Sequence, residues 1–199
     1  MDRTIISLTG AHRQAAIETL SAAFADDPAM CWLMPDPAAR ARRLPRLMAW
    51  TFDDHLAHGL AFGTPGAEAV TLWRPPGTVH RHAPLTPAAV LRFLGMFGRH
   101  ILRAERLDGA IARHLPAGEQ QFYLRMAAVR PDRQGQGLGG LSIRRGLAIA
   151  QEANLPTTLE TATQGNVDLY RALGFALISE WSAPLRGPRF WTMACPPRR

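Results

Sequence analysis

A mixed α/β fold, one sheet flanked by helices, is predicted for this chain of 199 residues by three observations. The second half alternates strand, helix, strand, helix, strand. One of those helices opens on a dense run of glycines between Gly135 and Gly140. No internal repeat or low-complexity tract interrupts the chain, and with 47% hydrophobic residues it can bury a full core as one domain.

Ala16, Ile17, Leu20, Ala23 and Phe24 recur at helical spacing, which predicts an amphipathic helix from Ala11 to Phe24, stopped by Asp26-Asp27-Pro28. A second helix runs from Pro37 to His58, with Pro45 a kink or a break, and Gly59 ends it. Leu60 to Gly63 and Ala69 to Trp73 flank Pro65-Gly66 as a hairpin. Two further helices cover Pro87 to Arg103 and Glu105 to His114. Phe122 to Val129 reads as a buried strand, Gly137 to Ala153 as a helix, and Thr157 to Glu160 as a short strand. A short helix, Asn166 to Leu173, closes at Gly174, and the last two strands are Phe175 to Trp181 and Phe190 to Ala194.

Composition excludes several classes. No apolar stretch approaches the roughly 18 to 20 residues a membrane-spanning helix needs, and the first residues carry no signal-peptide pattern, so a cytoplasmic protein is expected. Cys31 and Cys195 lie far apart with no further ligand at metal spacing, so neither a disulfide framework nor a zinc site is expected. His55, His58, His80 and His82 lack a third ligand nearby and read as scattered surface histidines, so no metal is expected. The formal charge of +7 comes from arginine alone, since the chain contains no lysine. In a chain rich in Ala, Arg, Pro and Gly that bias reflects coding composition, so nucleic-acid binding is not inferred from it.

Chemistry concentrates in Val129-Arg130-Pro131-Asp132-Arg133-Gln134-Gly135-Gln136-Gly137-Leu138-Gly139-Gly140. Glycines at a helix start free backbone N–H groups to turn toward an anion, and the helix N-terminus adds partial positive charge, so the loop suits a pyrophosphate. Gly135, Gly137 and Gly140 also satisfy G-x-G-x-x-G, with Glu160 about twenty residues on. A dinucleotide fold is nevertheless excluded: Arg130 to Gln134 separate strand from glycine, and fewer than sixty residues follow Gly140, too few for a second half. A Walker A loop needs a lysine the chain lacks.

Gln134-x-x-Gly137-x-Gly139 instead resembles the pyrophosphate loop of the GNAT superfamily of acetyltransferases. Val129-x-Pro131 is similar to the end of that family's central strand, and Asn166-x-x-x-Tyr170-x-x-x-Gly174-Phe175 to its second signature. Ala22 to Asp26, Leu159-Glu160-Thr161, Gly187-Pro188-Arg189, Trp191 and Met193 resemble the branch that contains puromycin N-acetyltransferase, although Asp168 stands where that branch carries proline. The resemblance is close over Phe122 to Met193 and thin over Asp36 to Glu119.

The resemblance implies a mostly antiparallel central sheet whose two parallel strands splay at the cofactor site. It also implies a single domain, 1–199, with a divergent acceptor-side half, 1–120, and an acetyl-CoA-binding core, 121–195. Acetyl-CoA would be held by Ala128, Val129, Arg133, Gln134, Gly135, Gln136, Gly137, Leu138, Gly139, Gly140 and Asn166, with a backbone N–H around Ala128 or Val129 as oxyanion donor. For Arg130 and Arg133, solvated loop charge is an equal reading. Tyr170 matches the family's general acid.

An amine of pKa near 10.4 is neutral only about one time in a thousand at pH 7, so a base is needed. Glu160, at the end of a strand beside the loop, can supply it, the alternative being a structural pair with an arginine. Asp26, Asp27 and Trp32 precede the second helix, where relatives form a wall of the amine site. The expected reaction is N-acetylation of a small-molecule amine. The alternatives are acetylation of a protein, peptide or aminoacyl-tRNA, and a non-catalytic acyl-CoA sensor. Relatives of this kind are commonly dimers.

Overall fold

The computed structural model describes residues 3–79, 86–116, 118 and 120–197. His80 and His82 lie outside them. Among the described residues seven strands, β1 (Ile6–Ser7), β2 (Leu60–Gly63), β3 (Ala69–Arg74), β4 (Phe122–Val129), β5 (Thr157–Thr161), β6 (Ala176–Ser182) and β7 (Arg189–Cys195), form one sheet in the order β1-β2-β3-β4-β5-β7-β6. Each of these pairings is antiparallel except β4 with β5. That parallel step spans a helical crossover, because a parallel neighbour cannot be reached by a tight turn.

Seven helices among the described residues cover the two faces: α1 (Arg13–Ala23), α2 (Pro28–Leu33), α3 (Pro37–His58), α4 (Pro87–Phe97), α5 (Ile101–His114), α6 (Leu138–Glu152), which is the crossover, and α7 (Gly165–Ala172). On one face Val70, Leu72, Met126 and Ala128 pack with buried residues of α1, α2, α3 and α5. On the other, Trp73, Leu124, Leu159 and Met193 pack with Ile143 and Leu147 of α6 and Val167 and Tyr170 of α7. In β3 residues of opposite parity serve the two cores, as a period of two requires, whereas in β4 Leu124 and Met126 share parity and serve opposite cores because the register shifts between them.

Three expectations are corrected. Of the kink or break expected at Pro45 the break is not formed, since helix α3 is continuous through it. Its buried face, Leu44, Leu47, Met48, Phe52 and His55, repeats every three to four residues on both sides of the proline. The carbonyl that loses its partner belongs to exposed Ala41, which water can satisfy. Helix α1 ends at Ala23, and Asp27-Pro28, expected only as part of a stop signal, begins another helix: Asp27 Oδ1 accepts from the backbone N–H of Ala29 (2.9 Å) and Met30 (3.1 Å), capping α2 with proline at its first position. The break between α4 and α5 falls at Gly98–His100, earlier than the expected Arg103.

Candidate active site

The parallel pairing of β4 with β5 runs only through Phe122↔Thr157, Tyr123↔Thr158 and Leu124↔Leu159. Beyond it β4 continues along β3 to Val129, and β5 continues along β7 to Thr161. The two strands therefore diverge and leave a wedge between their carboxyl ends. A bulge in β4, where Trp73 faces Leu124 and Leu72 faces Met126, inserts Arg125 as an extra residue and reverses the parity of the strand beyond it.

That reversal decides which amides face the wedge. Arg130 N–H donates to Glu68 C=O at 2.8 Å, so Arg130 and Glu68 form a hydrogen-bonded pair, and alternation makes Ala128 with Val70 another. The amides of Ala127 and Val129 are left directed away from β3, into the gap. Of the two expected oxyanion donors, Val129 points there, whereas the Ala128 amide is committed to the ladder.

After β4 a single turn, Pro131–Arg133, leads to exposed Gln134 to Gly137 and the start of α6. Gly135 and Gly137 have φ of 76° and 77°, the left-handed region a side chain disfavours. No side chain caps α6, so the amides of Leu138, Gly139 and Gly140 have no acceptor within the helix. Leu138 buries its side chain, and a Cβ on Gly139 would lie 3.0 Å from Val129 Cγ2, so the loop packs directly on β4. Gln134 Nε2 donates to Val129 C=O at 3.2 Å. These uncapped amides, glycine-lined and backed by a helix, fit the pyrophosphate of a coenzyme A.

The loop arginines are engaged locally: Arg130 pairs with Asp132 at 2.7 Å, and Arg133 with the same carboxylate at 3.5 Å. Arg3, which sequence motifs did not single out, reaches the loop from the other end of the chain, its Nη2 donating to Gln136 C=O at 2.8 Å.

The wedge opens into a cavity of about 620 Å³ between the sheet and α2, α3, α4 and α5. Trp50, Phe93, Phe97, Ile101 and Leu107 supply much of its apolar wall. Glu160, Asn166 and Tyr170 all line it, which brings three of the sequence-selected residues to one space. Of the expected acceptor wall, Asp27 lines it too. Asp26 and Trp32 are not among its lining residues. The Asp26 side chain is 97% exposed, and Trp32 lies under Arg103, whose guanidinium sits 5.4 Å from the ring centroid and donates to the Trp32 carbonyl.

The Glu160 carboxylate is bound by Tyr123, whose hydroxyl donates to Oε2 at 2.6 Å, and Arg125 Nη1 donates to that same hydroxyl oxygen at 3.3 Å. Oε1 is buried with no hydrogen-bond partner among the described residues. Burial raises this carboxyl to about 7, against the lowering influence of Tyr123 and Arg125. Arginine thus reaches Glu160 through a tyrosine rather than as a direct ion pair. The Tyr170 hydroxyl is pushed up to about 12, first by burial and then by the Asp27 carboxylate. Asp27 is itself raised, chiefly by burial.

Other polar groups of the cavity were not anticipated. Arg74 pairs with Asp54, and beside them His55, 1% exposed, gives its Nδ1–H to Thr51 C=O at 2.7 Å. The expectation of a surface histidine is corrected at this position: His55 falls on the buried stripe of α3, and burial lowers it to about 4. Among the described residues no group of His, Cys, Asp and Glu could hold a metal ion, and no helix is long and apolar enough to cross a membrane.

Residues 86–175 match the model of the acetyltransferase (GNAT) family. The fold is shared with several solved structures. A histone acetyltransferase HPA2 and related acetyltransferase from Corynebacterium glutamicum superposes with a TM-score of 0.76 at 23% identity, over 98% of this chain and 97% of that one. Arylalkylamine N-acetyltransferase 2 from Aedes aegypti gives 0.63 at 11% identity, over 98% and 99%. An agmatine N-acetyltransferase gives 0.59 at 13%, over 97% and 98%. At these identities the likeness concerns the fold.

Proposed function

We propose that this chain is an acetyl-CoA-dependent N-acetyltransferase of the GNAT superfamily whose acceptor is a small-molecule primary amine with an apolar body, a reading supported by the family match over residues 86–175 and by the shared fold. The observation that carries this reading is the buried Glu160, one oxygen unpartnered, opening on a largely apolar cavity of about 620 Å³. A cavity of that size suits a small molecule. Arylalkylamine and agmatine enzymes of the same fold act on small amines by their names, and the segments shared with the puromycin branch add antibiotic-like amines to those worth screening.

Acetyl-CoA supplies an activated acyl group as its thioester. The chain supplies the rest. The uncapped amides at the start of α6, with Gln134 to Gly137 and Asn166, hold the coenzyme. Glu160 Oε1 takes the proton of the acceptor ammonium, which converts it to a nucleophile. The Val129 N–H stabilises charge developing on the acyl oxygen. Tyr170, kept protonated by burial, gives its phenolic proton to the departing thiolate and is reprotonated by the second proton that the acylated nitrogen loses, so that one proton stays on Glu160 and the thiol leaves neutral.

Calorimetric titration with acetyl-CoA beside NADH tests the cofactor, followed by thiol-release assays on arylalkyl, polycationic and puromycin-like amines. Micromolar binding of acetyl-CoA alone, with turnover on a compact amine, supports the proposal. Turnover restricted to peptides or aminoacyl-tRNA would replace the acceptor class. Absence of acetyl-CoA binding would remove the catalytic reading.

A further inference from the structure

We infer that Tyr123, braced by Arg125, is the positioning residue for Glu160, its hydroxyl holding Oε2 so that Oε1, buried and without a hydrogen-bond partner among the described residues, is the carboxylate oxygen left to take the proton of the acceptor amine. The inference rests on the reading of Glu160 as the base and adds what selects the reactive oxygen.

Strand register brings the two side chains together. Tyr123 is the Cα partner of Thr158 across the parallel pair, and Glu160 lies two residues further on, on the same face. The ladder stops one residue after Tyr123, so the 2.6 Å bond from Tyr123 to Glu160 bridges the strands at the apex of the wedge. The β4 bulge adds Arg125, which reaches the same tyrosine oxygen.

Donor chemistry then fixes the direction of every proton. A guanidinium can only donate, so the Tyr123 oxygen accepts from Arg125 and its one hydrogen goes to Glu160 Oε2. Oε2 is occupied as an acceptor in both protonation states of the carboxyl. The arriving proton therefore goes to Oε1, which is buried and has no partner among the described residues. An ammonium N–H bond breaks, an O–H bond forms at Oε1, and the nitrogen keeps the electron pair.

The charged surroundings are consistent with tuning. Asp108 on α5 acts on both Arg125 and Glu160. Arg74, Asp54 and His55 lie along the β3 and α3 side of the cavity, and Tyr170 and Asp27 along the α7 and α2 side. A buried row of this kind costs desolvation, and a tyrosine kept only for packing would leave its hydroxyl function to a phenylalanine.

The test is a pH titration of protein labelled with ¹³C at the glutamate carboxyl, followed by NMR from pH 4 to 9, with E160Q assigning the resonance. Wild-type protein is expected to titrate near pH 7. Tyr123→Phe, one oxygen smaller and able to keep the packing, is expected to move that midpoint up by about one pH unit, since a hydrogen bond to the charged form is lost. Arg125→Gln should move it the same way. Superimposable midpoints in wild type and Tyr123→Phe would overturn the role of Tyr123 and leave Glu160 as base. A wild-type midpoint below pH 5 would overturn the base reading and take this inference with it.

Discussion

The Tyr170 hydroxyl stays protonated at any working pH, because burial and Asp27 hold it at about 12. A group so placed can give a proton to a departing thiolate but cannot act as a resting base. Tyr170→Phe is expected to lower kcat about 10²-fold, the low end for a positioned acid, with the acetyl-CoA Kd unchanged in calorimetry. Glu160 titrates near 7 and must be ionised to accept a proton, so kcat/KM should rise with pH along a limb centred near that value. In Glu160→Gln the limb should vanish together with most of the rate, as a pH–rate profile on the best amine would show. At this scale the sequence was half legible. Glu160 and Tyr170 stand at the ends of a strand and a signature helix, whereas Tyr123 and Arg125 were hidden in a run read as plain core. An arginine inside such a strand was the available signal, and only the bulge reveals which way it faces.

Elements were legible where one periodicity governed them. The stripe of α3 and the glycine entry to α6 came through, while α2 did not, because Asp27-Pro28 reads as a stop signal in the sequence yet caps a six-residue helix, Pro28–Leu33. β1 was missed for lack of length, being two residues paired with β2. The start of α6 invites a direct test. Gly137, at φ 77° and without a side chain, is the N-cap residue of that helix, and alanine in that conformation costs about 1–2 kcal/mol. Gly137→Ala should therefore weaken acetyl-CoA binding roughly tenfold by calorimetry. Further along the helix, a Cβ on Gly146 would fall 2.2 Å from Cε2 of fully buried Trp73. Gly146→Ala should cost about 1–3 kcal/mol of stability through overpacking, read as a lower Tm with the activity profile retained near room temperature.

Across the whole molecule, two buried groups couple folding to pH with opposite signs. Glu160 is raised from 4.5 to about 7, so the folded chain binds the extra proton and stability falls as pH rises through that window. His55 is lowered from 6.5 to about 4, so the unfolded chain binds the extra proton and stability rises across pH 4 to 6.5. Their slopes oppose between pH 4.5 and 6.5. His55→Gln should leave a Tm that declines with pH over that range, and Glu160→Gln one that climbs, in matched thermal melts. The α/β class, the sheet's mostly antiparallel character and the splay implied by resemblance are all present in the fold. The cavity was not foreseeable, since it is assembled from four helices whose sequences carry no shared signature. The wedge itself leaves a mark that needs no acceptor to be read. Amides of Ala127 and Val129, directed into the gap while their neighbours are locked in the ladder, should exchange with deuterated solvent far faster than Ala128, and a coenzyme filling the wedge should slow those two selectively, leaving an alternating isotopic footprint along a single strand.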